Sequence, residues 1–279
     1  MGTAPDQLCK TFTQIIGIGA VEPLAGACET AALRSFPLRI QGVSADLLIA
    51  KGLGFSFQFP LDRQGKALCI GQINVRQQEL QRVIRSLTRY PDIQIASTPQ
   101  LFLSSRPRVV SINIQALTKP LRFARIIRQV LTETRIRTTP VRFQTGNQVC
   151  KQIATTIRSN AQAFQVNGSC IPRIQRTRPS FILGRRNNSF NNFEYAITPT
   201  IHGKPRSYGK SLCLARLWVF QHEIQTVVSR IRKEQLQLGN VSANFLFSTP
   251  RSYYITYQTI DDPIRFARKS ARIIQGLHG

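Results

Sequence analysis

The chain has 279 residues, a length for one large domain or two of about 140 residues each. Apolar residues make up 42%, which is enough for a folded core and excludes a disordered chain. Lys and Arg number 38 against 13 Asp and Glu, a net charge of +25. So cationic a chain calls for a polyanionic partner: nucleic acid, an anionic membrane or a very acidic protein. Arginine outnumbers lysine 29 to 9, which favours forked, oriented pairing with carboxylate or phosphate over diffuse attraction.

In chain order, Met1 to Lys10 has neither a basic-then-apolar signal pattern nor the Arg- and Ser-rich composition of a transit peptide. Met1-Gly2 opens like a myristoylation site, but Asp6 stands where Ser or Thr is required. The expectation is a chain without a targeting segment, or a mature form. No run approaches the roughly 18–20 apolar residues of a membrane span. Residues 9–50 read as a mixed, loose lead-in. Phe55, Phe57 and Phe59 alternate with polar residues and predict a strand. Residues 67–75 predict a second strand carrying Cys69. Over 76–88, Leu80, Val83, Ile84 and Leu87 fall at i, i+3, i+4 and i+7, one apolar face of a helix. Strands near 92–96 and 108–114 follow, and Pro120 opens a helix over 119–131, where its missing N–H costs little. A second lead-in covers 150–195. Within it, residues 172–192 hold five Arg with much Asn and Pro, and read as an extended, exposed, cationic arm.

An internal repeat organises this pattern. Lys66, Leu68, Cys69, Val75, Gln77, Glu79, Gln81 and Val83 recur 144 positions later as Lys210, Leu212, Cys213, Val219, Gln221, Glu223, Gln225 and Val227. Ser105, Pro107, Arg108, Ile112, Gln115 and Pro120 recur 143 positions later, and the tetrapeptide RFAR stands at 122–125 and 265–268. Ile224, Val227, Val228 and Ile231 repeat the helix face. Cys9 and Cys28 align with Cys150 and Cys170, giving three cysteines per copy. The fold class expected is therefore α+β: a tandem duplication of a small sheet-plus-helices unit, roughly β-β-α-β-β-α, with the first repeat at 1–141, the second at 142–279, and basic connecting arms.

Catalytic chemistry finds little support. The six cysteines form no C-x-x-C pair, and without a secretory signal a disulfide framework is not expected. His202, His222 and His278 do not recur between copies, and a Cys213–His222 nucleophile pair has no counterpart in the first. Glu79 and Glu223 read as surface groups, Glu79 pairing with Arg82 three residues on. The G-L-G at 52–54 lacks the third glycine of a phosphate loop, and His residues are too few for a metal site. Sequons at Asn167, Asn187 and Asn240 read as chance. RNA binding, as in an organellar ribosomal protein, fits the charge, with Phe57, Tyr253 or Tyr257 to stack on bases. Against it, the basic residues are spread along the chain and no RNA-binding signature stands out. Twenty-five glutamines suit a chain that hydrogen-bonds along its length inside a polar protein cavity.

From Val75 to Ile95, the strand, the V-x-x-Q-E pattern of 75–79 and the Glu79–Arg82 spacing resemble the small linker repeat of phycobilisome proteins. Tyr90-Pro91-Asp92 stands where that repeat has Gly-Gly, and Thr226 replaces the Arg in the second copy. With the duplication, the basic charge and the repeated cysteines, the chain resembles red-algal phycoerythrin gamma subunits, the chromophore-bearing rod linkers. That resemblance implies a non-enzymatic linker filling the central cavity of an acidic phycoerythrin α/β hexamer beside neighbouring rod linkers. It implies a plastid location, on the stromal face of the thylakoid, with no nucleic acid and no membrane insertion. It implies thioether-bound phycoerythrobilin or phycourobilin at Cys28, Cys69, Cys150 and Cys213, with Cys9 and Cys170 ranked behind. Arg34, Arg76, Arg173 and Arg216 would pair with the bilin propionates.

Overall fold

The computed structural model describes residues 4–18, 26–176, 178–189, 192–199 and 209–277. The first half runs α1 (Ala4–Ile16), β1 (Ala27–Arg34), β2 (Arg39–Ile40), β3 (Val43–Ser44), α2 (Leu48–Lys51), β4 (Gly52–Gln58), β5 (Ala67–Arg76), α3 (Leu80–Leu87), β6 (Gln94–Ser97), β7 (Ser105–Arg106), β8 (Val109–Thr118), α4 (Pro120–Glu133) and β9 (Thr138–Pro140). The second runs β10 (Gln144–Thr145), α5 (Gln148–Ile157), β11 (Gln162–Val166), β12 (Ser169–Gln175), β13 (Phe181–Ile182), β14 (Arg185–Arg186), β15 (Asn192–Ile197), β16 (Ser211–Phe220), α6 (Ile224–Lys233), β17 (Gln237–Ala243), β18 (Ser248–Thr249), β19 (Ser252–Asp261) and α7 (Pro263–Ile274). The fold is α+β, built on antiparallel sheets.

A six-stranded sheet takes the order β6-β8-β5-β4-β1-β9, and a seven-stranded one β10-β11-β12-β15-β16-β19-β17. Two small sheets, β3-β2-β7 and β14-β13-β18, flank them. The two large sheets pack face to face, and helices cover the outer face of each. On the first sheet, Cys69, Ile73 and Val75 of β5 pack with Val83 and Leu87 of α3, Phe123 and Ile127 of α4, and Phe12 of α1. On the second, Cys213, Leu217 and Val219 of β16 pack with Ile153 of α5, Val227 of α6 and Phe266 of α7. Strand residues of the opposite parity meet in the seam between sheets, where Leu33, with Ile49 of α2 and Leu101 of the loop after β6, joins Ile171, Ala196, Leu212 and Leu214. A strand covered on both faces loses the polar alternation of a half-exposed one. All ten residues of β16 are accordingly buried.

The strands and helices expected from 52 to 133 are present, with β4, β5, β6, β8 and α4 close to their expected bounds. The helix expected over 76–88 begins with a 3-10 turn, Gln77–Glu79, before α3. Two expectations are corrected. The lead-ins are not loose: α1, β1, α5, β11 and β12 complete the helical layers and sheets. Nor are residues 172–192 an exposed arm, because Arg173 and Arg176 lie on or just beyond β12, where Arg176 is buried against Phe193, Trp218 and Phe220. Local composition signals polarity there, but aromatic faces and a buried carboxylate accept these guanidiniums. No helix of the described residues is long and apolar enough to cross a membrane.

Candidate functional site

The cysteines take places that sequence spacing did not suggest. Cys9 of α1 is bonded to Cys28 of β1, and Cys150 of α5 to Cys170 of β12. Each bridge ties a helix to the sheet beneath it, across 19 and 20 residues. This corrects the expectation that disulfides are absent. In this arrangement the sulfurs of Cys9, Cys28, Cys150 and Cys170, where the resemblance implies thioethers, are bonded to one another in pairs. Cys69 and Cys213 are free but wholly buried between sheet and helices, and burial pushes both thiols far above their ordinary range. Such thiols are inert.

The four arginines assigned to bilin propionates are also held by the protein itself. Arg34 donates to both carboxylate oxygens of Glu79, at 3.1 and 3.0 Å, and Arg76 adds a third contact at 2.7 Å. The Arg76 N–H also donates to Glu79 Oε2 at 2.8 Å, so one carboxylate closes the strand-to-helix turn and neutralises two guanidiniums. The second half repeats this cage: Arg176 grips Glu223 at 2.8 and 2.9 Å, Arg178 joins at 3.0 Å, and the Phe220 N–H donates at 2.7 Å. Glu79 and Glu223 are therefore buried anchors, not the surface groups expected, and Arg82 has no part in the pair. Burial pushes the Glu79 carboxyl up, but hydrogen bonds from Arg76 and Arg34 and the Arg34 charge outweigh it and hold its pKa at about 2. Glu223 is lowered in the same way.

Arg173 and Arg216 meet Glu29 and Glu194 in the seam between sheets. Arg173 lies 3.6 Å from Glu29 and 3.9 Å from Glu194, while Arg216 donates to Glu194 and to Gln72 of the opposite sheet. Beside them is a cavity of about 70 Å³ walled by Leu53, Phe143, Phe164 and Ile171. That volume suits a few waters and is far below the several hundred Å³ that a drug-sized ligand occupies. A tetrapyrrole has no room there.

The other chemistry considered from the sequence is not assembled either. Seven residues of strand separate Cys213 from the end of β16, roughly 23 Å, so His222 cannot reach it. Phe57 and Tyr257 are fully buried and cannot stack on a base. His202 and His278 lie outside the described residues. Among the described residues no three His, Cys, Asp or Glu gather as a metal site.

What the fold does assemble is a surface. The acidic side chains are largely taken up in pairs: Asp62 with Arg185, Asp92 with Arg122, Glu133 with Arg89, Glu234 with Arg272, and Asp261 with Arg265 and Lys269. Exposed cations without a carboxylate partner among the described residues stand on loops and strand ends, such as Arg106, Arg108, Arg137 and Arg251, and on the two helical layers, where helices fix their direction. In the first, Arg82 and Arg85 of α3 and Arg125 of α4 are exposed with no carboxylate within 4 Å among the described residues. In the second, Arg232 and Lys233 of α6 and Arg268 of α7 are the same. The RFAR repeat explains Arg125 and Arg268. Phe123-Ala124 and Phe266-Ala267 face the sheet, and helical geometry turns the following Arg outward. The tetrapeptide was visible in the sequence; that its last residue faces solvent without a partner was not.

No curated protein and no solved structure matches this chain. A family model described as Domain of Unknown Function (DUF1259) matches residues 10–133 and 187–275, which span most of both α+β halves and leave out the segment from β9 to β14. The chain belongs to that family.

Proposed function

We propose that this protein is a non-enzymatic binding protein that docks an acidic protein surface against the arginine-bearing outer faces of its helices. One observation carries the reading: the described carboxylates are engaged within the fold, while Arg82, Arg85, Arg125, Arg232, Lys233 and Arg268 stand exposed and unpaired. Guanidiniums fixed on helices favour bidentate pairing with carboxylates and give orientation more than raw affinity. The duplication belongs to the same proposal: two halves that share the order of five strands, β6-β8-β5-β4-β1 and β17-β19-β16-β15-β12, would present two related basic faces to a partner.

The resemblance gives this reading a specific form, a phycobilisome rod linker seated among phycoerythrin α and β subunits in the plastid. The basic faces suit such a partner. Covalent bilins would require the bridged sulfurs as free thiols or the buried Cys69 and Cys213 to be exposed, so with both bridges formed a linker of this kind would be colourless. The two disulfides favour an oxidising compartment instead.

The test is a titration of the purified protein with labelled poly-L-glutamate and, separately, labelled single-stranded RNA, followed by anisotropy across salt. We expect poly-L-glutamate to bind, to weaken as salt rises, and to bind at least about tenfold more weakly to R82Q/R85Q/R125Q or R232Q/K233Q/R268Q. Binding indifferent to both triple variants, or a clear preference for RNA, would overturn the reading.

A further inference from the structure

A cleft of about 400 Å³ opens at the edge of the first sheet, lined by Arg34, Phe36, Asp46, Lys51, Thr139 and Asn167. Its volume lies in the range that holds small molecules. Its charge is unusual. The ring of Phe36 has three cations around it, with Arg34 at 5.1 Å, Lys51 at 5.2 Å and Arg76 at 5.8 Å from its centroid. One buried carboxylate, Glu79, answers Arg34 and Arg76 together. Lys51 is 5% exposed, and its ammonium pairs with Asp46, whose side chain is 61% exposed at the mouth. A buried ammonium requires a counter-charge. Here a surface carboxylate supplies it. Arg34 Nε is buried with no hydrogen-bond partner, which leaves an unused donor beside the cleft.

We propose that this cleft binds the oxyanion of a small organic acid or phosphate ester, with Lys51 and Arg34 as the cationic walls and Asp46 as the carboxylate that the ligand displaces. Asp46 marks where an oxyanion sits on Lys51. The amide of Asn167 and the hydroxyls of Ser35 and Thr139 add neutral hydrogen-bonding groups, and Leu33, Phe36 and Pro37 add an apolar wall for the rest of the molecule. The site takes Asn167 from the second half and the rest of its lining from the first, and it is separate from the outer helical faces.

Inorganic phosphate and benzoate serve as probes in calorimetric titrations of the full chain at fixed ionic strength, on the parent, K51M, D46N and R63Q. Arg63 lies beyond the far end of β4 and controls for the loss of one charge. We expect at least one anion to bind the parent at one site, about fivefold tighter binding to D46N, about tenfold weaker binding to K51M, and no change with R63Q. Phosphate alone binding would assign a phosphate-bearing ligand, and benzoate alone a carboxylate with an apolar body. Asp46 is exposed, so D46N folds even if K51M does not. If neither anion binds, or if D46N binds no tighter than the parent, the proposal falls. Neither result bears on the poly-L-glutamate titration, which reads other residues.

Discussion

Leu246 donates its backbone N–H to Gln115 Oε1 at 2.8 Å, and Gln115 Nε2 donates back to the Leu246 carbonyl at 3.3 Å, joining the two halves across the seam. The residues 143 positions away make the reverse pair. Leu103 donates to Gln258 Oε1 at 2.9 Å, and Gln258 Nε2 donates to the Leu103 carbonyl at 3.1 Å. A contact from i to j that recurs from j to i is the pattern of a two-fold interface, here within one chain. Gln72 and Arg216, 144 positions apart, touch each other directly. Each glutamine serves as both acceptor and donor for a backbone that has no strand neighbour at that point.

Replacing Gln115 or Gln258 by alanine should therefore leave a Leu N–H and a carbonyl unmet. We expect each variant to lose about 1–3 kcal/mol, and the two losses to be alike. Urea unfolding of both variants measures this; a loss confined to one of them would contradict the two-fold arrangement.

Glu79 carries an acid-dependent share of stability. Its folded pKa, about 2, lies below the ordinary value of 4.5, so the unfolded carboxyl takes up a proton before the folded one does. The stabilisation is complete above pH 4.5 and declines as pH falls towards about 2. Glu79→Gln should lose about 3–5 kcal/mol at neutral pH, because Arg34 and Arg76 are left without their counter-charge, and should show a flatter decline in acid. Melting temperatures of parent and variant from pH 6 down to pH 2 check the sign; parallel curves would contradict it.

The cysteines predict a count. A thiol reagent should modify none in the native protein and two after denaturation without reductant, since Cys69 and Cys213 are buried and the other four are bonded. Replacing Cys9 and Cys28 together by serine should lower stability by about 2–4 kcal/mol, as expected for a closed loop of this size. Six modified thiols in denaturant would contradict both bridges.

Separating the halves tests the seam. The first half buries Leu33 of its sheet, with Leu38, Leu47 and Leu101 of the flanking segments, in a core shared with the second half. Residues 1–141 expressed alone should therefore self-associate or precipitate. Co-expressed with 142–279, they should form a one-to-one complex by light scattering. A stable, soluble monomer of the first half would show that the seam contributes little to folding.

Much of the secondary structure could be read locally. The alternation of Phe55 and Phe57, the apolar stripe through Leu80, Val83 and Leu87, and Pro120 at a helix start all depend on neighbours within a few residues. The lead-ins could not be read in this way. Cys9 to Ile16 and Cys28 to Arg34 become a helix and a strand of one core only because a sheet assembled from distant residues receives them. The places of Arg34, which the resemblance pairs with a bilin propionate, and of Arg176, which composition puts on an exposed arm, are hidden for the same reason. Nothing within ten residues of either tells that a glutamate 45 or 47 positions on will meet it in the interior.

The sequence alone determined the composition, the net charge, the period of the central strands and helices, and the recurrence of residues about 143 positions apart, all of which are properties of near neighbours or of simple counting. Tertiary structure alone decided which cysteines bond, which carboxylates are consumed inside, and which arginines are left facing solvent. Those outcomes depend on distances between residues far apart in the chain. Such distances exist only once the two sheets have closed on each other and excluded water from the seam.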